Sequence, residues 1–162
     1  MDTAFDMIPK LNHTLALIGD RLQPVLLLGI RLYWGYHFVQ TGTSKLTNSA
    51  GFVGHFQDWG VPLPHLSVIL AGTTETVGGL LLLLGLLSRI IAVPLMFTMA
   101  VAYLTAERQT LMTLFSNPDD FVSATPFLFL LAALIVFVFG PGRYSVDALL
   151  ARKRASGRRP RS

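Results

Sequence analysis

The stretch from His65 to Leu87, HLSVILAGTTETVGGLLLLLGLL, decides the fold class. It carries one charged side chain, Glu75, and its second half is leucine and glycine without interruption. A helix needs about 20 mainly apolar residues to cross the hydrocarbon core of a bilayer, and this run supplies them. Working outward, three more stretches have the length to cross. The first, about Pro24 to Leu46, is the least apolar, with Arg31, His37 and Gln40 inside it. The third, about Ser88 to Ala106, contains Pro94 and is expected to bend there, because proline leaves a carbonyl without its helical partner. The fourth, about Phe121 to Gly140, lies in a region free of charge between Asp120 and Arg143. Backbone groups in lipid must be satisfied within each span. The expected fold is therefore all-α: an integral membrane four-helix bundle.

Composition agrees with this. Of the 162 residues, 52% are apolar and 14% charged, whereas a soluble domain of this size carries about a quarter charged residues. The apolar content excludes disorder, and nucleic acid is not an expected partner despite a pI near 9.9. Without cysteine there is no disulfide, thiolate metal site or cysteine nucleophile.

The net charge of +4 is unevenly placed. Residues 1–142 carry six Lys/Arg against eight Asp/Glu, and residues 143–162 carry seven against Asp147 alone. Three segments follow: residues 1–23, an interfacial helix; residues 24–142, the four-span membrane domain; and residues 143–162, a basic tail. A basic run directly after an apolar span holds the cytoplasmic side and touches anionic lipid. Lys10, Arg21, Arg89 and the tail share one side, so the positive-inside rule puts both termini in the cytoplasm. For a bacterial chain this means the inner membrane, crossed several times. The opposite loops, 47–64 and 108–120, carry Phe52, Phe56 and Trp59, and Leu111, Leu114 and Phe115, at spacings that suggest short helices at the outer mouth.

Glu75 is the most informative residue. An ionised carboxylate at mid-bilayer costs roughly 2.5–3.5 kcal/mol on insertion scales, so a partner is required. Gly72, Glu75, Thr76 and Gly79 share one helical face, as do Arg31, Gly35, Phe38, Gly42 and Lys45. Packing the two faces together makes Arg31 the expected partner of Glu75. The pair is either the floor of a polar pocket with Lys45 and the loop aromatics at its rim, or an ion pair that only fixes helix register. Met96, Met99 and Tyr103 recur at helical spacing and form either a packed face or an apolar ligand wall. His37, His55 and His65 fall in the outer half, but no spacing supports a metal site. There is no flavin motif, phosphate-cradling loop or nucleophile elbow.

In order and spacing, several features resemble the DoxX family of small four-helix membrane proteins, over about Leu22 to Leu150. They are Arg31 through Gly42 to Ser44-Lys45-Leu46; Phe56 and Gly60-Val61-Pro62; Glu75 with Gly78-Gly79 and Leu80–Leu84; Gly85-Leu86-Leu87-Ser88-Arg89; and Gly140-Pro141-Gly142-Arg143-Tyr144-Ser145-Val146-Asp147. The resemblance implies the four-helix fold and a quinone-linked role as a membrane subunit of an oxidoreductase system. A redox partner protein or a homo-oligomer goes with that role, and the chain need not turn over substrate by itself. The expected ligand pocket is Arg31, Lys45, Glu75, Met99 and Tyr103, with quinone or another lipophilic molecule as ligand. Arg89, Arg143 and Asp147 are expected to form a structural cluster, with Asp147 pairing either arginine or, like Ser145, capping a following helix. The alternative is a non-catalytic scaffold or assembly factor that uses its small-residue faces for packing. A small-molecule carrier is a third reading, although four spans without a repeat are an uncommon design for one.

Overall fold

The computed structural model describes the backbone of residues 3–157 and the side chains of residues 8–156 other than Lys10. Arg158, Arg159 and Arg161 of the basic tail lie outside the described residues. Helices follow one another as α1 (Thr3–Thr47), α2 (Ser49–Asp58), α3 (Pro64–Leu84), α4 (Ser88–Leu104), α5 (Arg108–Met112), α6 (Pro118–Ser123), α7 (Thr125–Phe139) and α8 (Val146–Gly157). No strand occurs among the described residues.

The four apolar stretches all become helix, and both long loops contain short helices. The boundary expected near residue 23 has no counterpart in the backbone. Instead, α1 is unbroken over 45 residues and passes through Pro9 and Pro24. A proline removes one N–H from the ladder, but the residues on both sides keep helical geometry. Likewise α4 runs through Pro94 from Ser88 to Leu104. Among the described residues one helix, Pro64–Leu84, is by itself long and apolar enough to cross a membrane, while Ser88–Leu104 and Thr125–Phe139 are apolar but shorter.

Helix α3 packs against α1 and α4, α4 packs against α7, and α7 reaches back to α1. Phe38, Leu82, Leu95, Met99, Phe129, Ala133 and Val136 form the core between them. Outward-facing leucine, valine and phenylalanine side chains cover the rest of these helices, a surface suited to lipid.

Glycine sets how α1 meets α3. A Cβ on Gly42 would lie 2.5 Å from the backbone nitrogen and Oγ1 of Thr76, and one on Gly79 would lie 2.7 Å from the carbonyl oxygen of Gly35. The two backbones therefore touch, as small residues allow in membrane helices. Gly42→Ala is expected to destabilise the protein by about 1–3 kcal/mol through overpacking. Gly29→Ala, where nothing lies within 4 Å, should be nearly neutral. Thermal unfolding in mild detergent compares the two, and equal behaviour would contradict this register.

The turn from α3 to α4 is tight and strained. Gly85 ends α3 at φ +67°, with Gly85 N–H donating to Leu82 and Leu86 N–H to Leu81, the pattern that satisfies the last carbonyls of a helix. Two residues on, Leu87 is held at φ +51°, a region costly for a side chain with a Cβ. What holds it is Asp147, far along the chain. Its Oδ1 accepts from Leu87 N–H at 2.9 Å and its Oδ2 from Ser88 N–H at 3.0 Å. The carboxylate thus caps the start of α4, where free N–H groups and the helix dipole favour an anion.

Candidate functional site

Two buried charges were expected to meet, and the structure gives each a different partner. Glu75, whose side chain is 1% exposed, accepts a hydrogen bond from Lys45 Nζ at 2.5 Å. This is the one ion pair among the described residues. Arg31 lies at the other end of the α1–α3 contact. The glycine contacts pair Gly42 with Gly72 and Thr76, and Gly35 with Gly79 and Leu83, so α1 and α3 run antiparallel in a fixed register. Residue 75 is then level with about residue 41 of α1, some ten residues beyond Arg31. At 1.5 Å per residue the offset is about 15 Å, beyond the reach of an arginine side chain. The Arg31–Glu75 pair is therefore corrected to Lys45–Glu75.

Arg31 is buried and, among the described residues, forms no ion pair with a carboxylate. It donates to the backbone carbonyls of Leu82 at 3.0 Å and Leu83 at 3.2 Å at the end of α3. It also donates to Pro141 and, at 3.0 Å, to Tyr144 in the turn after α7. Each of these carbonyls lies near a helix end, where intrahelical donors run out. Arg31 thereby joins α1, α3 and the turn leading to α8.

Above Lys45 and Glu75 lies a cavity of about 540 Å³ between α1, α3, α4 and α7, covered by α2. Its walls include Leu70, Ala71, Met99, Val101, Ala102 and Phe129. Phe52, Phe56 and Trp59 of the α2 segment complete it on the outer side, with Lys45 Nζ 5.8 Å from the centroid of the Phe52 ring. Threonine hydroxyls at positions 41, 74, 98, 105 and 125 are scattered over the lining. Among the lining residues Lys45 and Glu75 carry the only charges. A cavity of this size, apolar with a few convergent polar groups, is typical of small-molecule sites.

Of the five residues expected at the pocket, Lys45, Glu75 and Met99 line the cavity, and Arg31 and Tyr103 do not. Tyr103 is buried beside it. Its hydroxyl donates to Phe121 O at 2.8 Å and its ring stacks on Phe121 at 4.5 Å, which ties α4 to the segment entering α7. Phe129 and the threonines were not singled out from the sequence. An aromatic within an apolar run and a hydroxyl beside Glu75 carry no periodic signal of their own. His37 packs among Tyr33, Trp34, Tyr36 and Phe129, and His55 stacks on Trp59.

The expected cluster of Arg89, Arg143 and Asp147 is only partly assembled. Asp147 caps α4 rather than pairing with either arginine, because the backbone N–H groups of Leu87 and Ser88 occupy both its oxygens. Arg89 donates to Val138 O at 3.3 Å. The following helix is capped by Ser145, whose Oγ accepts from Ala148 N–H at 3.1 Å.

The family model described as DoxX matches residues 26–108, a span that contains both cavity charges. An uncharacterized membrane protein of Mycobacterium tuberculosis is 32% identical over 143 residues, covering 80% of this chain and 84% of the relative. The inner membrane protein YqjF of Escherichia coli is 31% identical over 137 residues, covering 82% of this chain and 98% of the relative. No solved structure matches the chain.

Proposed function

Because the chain belongs to the DoxX family of membrane proteins, we propose that it binds a small lipophilic molecule, a quinone by class, in the cavity closed by Lys45 and Glu75. The observation that carries this reading is a buried ion pair on the wall of an otherwise apolar cavity of about 540 Å³. The cavity fits such a headgroup chemically. Lys45 has three N–H donors and uses one on Glu75, leaving donors for a carbonyl oxygen. Glu75 Oε1 has no hydrogen-bond partner among the described residues. Leu70, Met99 and Phe129 offer an apolar bed for a tail. A bound quinone would supply two-electron redox chemistry, and the electrons would come from a partner protein. The chain's own groups would orient the headgroup and hold or pass a proton between Lys45 and Glu75.

The surrounding architecture in this proposal is a four-span bundle in the inner membrane with both termini in the cytoplasm. The distribution of basic residues supports it, as does a relative named an inner membrane protein. The cavity then opens toward the outer side. A scaffold role is less well supported, because the small-residue faces it would use are already spent. Gly35, Gly42, Gly72 and Gly79 pack against one another within the chain.

The test is to purify the protein in mild detergent beside Glu75→Gln and identify co-purifying small molecules by mass spectrometry. A stoichiometric quinone or similar headgroup lipid, depleted in the variant, is expected. Equal ligand content in the two proteins would overturn the assignment of the site.

A further inference from the structure

A second cleft lies at the opposite end of the molecule, between the first half of α1 and α8. Its volume is about 490 Å³, and it is lined by Asp20, Gln23, Pro24 and Leu27 of α1, by Phe139, Gly142 and Arg143 after α7, and by Ala148, Ala151 and Arg152 of α8. Ala151 and Arg152 lie three and four residues beyond Ala148 and so fall on its side of α8. The two alanines leave the space, and the arginine closes its edge. We propose that this cleft is a binding site for the phosphate headgroup of an anionic phospholipid.

Three observations carry the assignment. The first is charge. Arg143 and Arg152 face one carboxylate, Asp20, and among the described residues neither guanidinium has a hydrogen-bond or ion-pair partner. The nearby Asp147 is already engaged by backbone N–H groups. Two planar, unpaired donor forks beside a cleft suit a phosphate, which arginine binds through parallel N–H groups. The second is level. The apolar helix α7 ends at Phe139, and Arg143 follows the Gly140–Gly142 turn, so in the proposed four-span arrangement Arg143 falls where the hydrocarbon gives way to headgroups. The third is continuity. Phe139 lines the cleft yet is 59% exposed, and Val138 beside it is 54% exposed. Acyl chains could therefore run along α7 while the phosphate sits between the arginines. A soluble anion has no use for that apolar wall, so a lipid is the occupant the cleft favours.

The full chain in mild detergent can be titrated with dioleoylphosphatidylglycerol, dioleoylphosphatidylcholine or inorganic phosphate, and bound species counted by native mass spectrometry. Wild type is expected to retain one phosphatidylglycerol in preference to phosphatidylcholine. A basic residue at the headgroup layer contributes roughly fivefold in binding, so Arg143→Gln/Arg152→Gln should bind about 30-fold more weakly. Lys153→Gln/Arg154→Gln removes the same amount of charge from α8 outside the cleft and should change binding far less. Ala151→Phe keeps every charge but fills the cleft, and should also lose the lipid. Because Arg143 and Arg152 have no hydrogen-bond or ion-pair partner among the described residues, Arg143→Gln/Arg152→Gln should melt close to wild type. Equal losses in the two double variants would reduce the site to a diffuse basic surface and overturn the proposal. So would retention by Ala151→Phe, equal binding of phosphatidylcholine, or displacement by inorganic phosphate at equal concentration.

Discussion

Lys45→Met is expected to destabilise the protein by about 3–5 kcal/mol, because it leaves the buried Glu75 carboxylate without its ion-pair partner. Glu75→Gln should cost markedly less. The asymmetry follows from exposure: the Glu75 side chain is 1% exposed, while that of Lys45 is 18% exposed and borders the cavity. A lysine freed of its partner can extend its stem toward the outer mouth and solvate its ammonium, but a buried carboxylate has no such escape. The combined variant Lys45→Met/Glu75→Leu should regain most of the loss, since replacing a buried pair by apolar side chains is often close to neutral. Unfolding in mixed micelles of wild type, Lys45→Met, Glu75→Leu and the combined variant closes a double-mutant cycle. Strictly additive effects would show that the two residues do not interact.

Arg31→Met should be the most damaging single change in the chain. Arg31 is 1% exposed and donates to carbonyls on α3 and on the turn after α7. Hydrogen bonds to a charged group each contribute about 1.5–3 kcal/mol, and several are lost together, so a cost above about 4 kcal/mol is expected. Arg31→Lys should rescue little. An ammonium on a flexible stem is a point charge, whereas these carbonyls are met by a planar fork with donors on three nitrogens. The released segment is the one that carries Asp147, so the cap on α4 should loosen with it. Hydrogen exchange at Leu87 and Ser88 reads that directly. An Arg31→Lys protein with wild-type stability and wild-type protection there would contradict the described network.

Much of this architecture was legible in the sequence, and the reason is physical. Runs of apolar residues place α1, α3, α4 and α7, although α3 stops at Leu84 where the sequence carries the second stretch through Gly85 to Leu87. The seven-residue spacing of Gly35 and Gly42 on α1, and of Gly72 and Gly79 on α3, identified which faces of the two helices meet. Periodicity says nothing, however, about axial register. Sliding one helix along the other by a few turns keeps every residue on its face while changing every partner. That is how Glu75 was matched with Arg31 instead of Lys45, which lies on the same face of α1. The register is set by which glycine admits which backbone, and that is a property of the packed pair. Asp147 was unreadable for a related reason: its partners are backbone N–H groups 59 and 60 residues away, which have no side-chain signature. Helix formation tolerates the charged residues before Arg21, so α1 continues unbroken from them into its apolar half.

Under the proposed function, Lys45 and Glu75 recognise the headgroup of a ligand held in the cavity. Trp59 lines that cavity and Trp34 does not, so a Trp34→Phe protein carries one fluorescent reporter at the site. Titrating it with decylubiquinone in detergent should give saturable quenching of Trp59. In the Lys45→Met/Glu75→Leu background, with the fold retained, the saturable component should disappear. Saturable quenching of unchanged affinity in that background would show that the ion pair does not recognise the ligand, and would contradict the account.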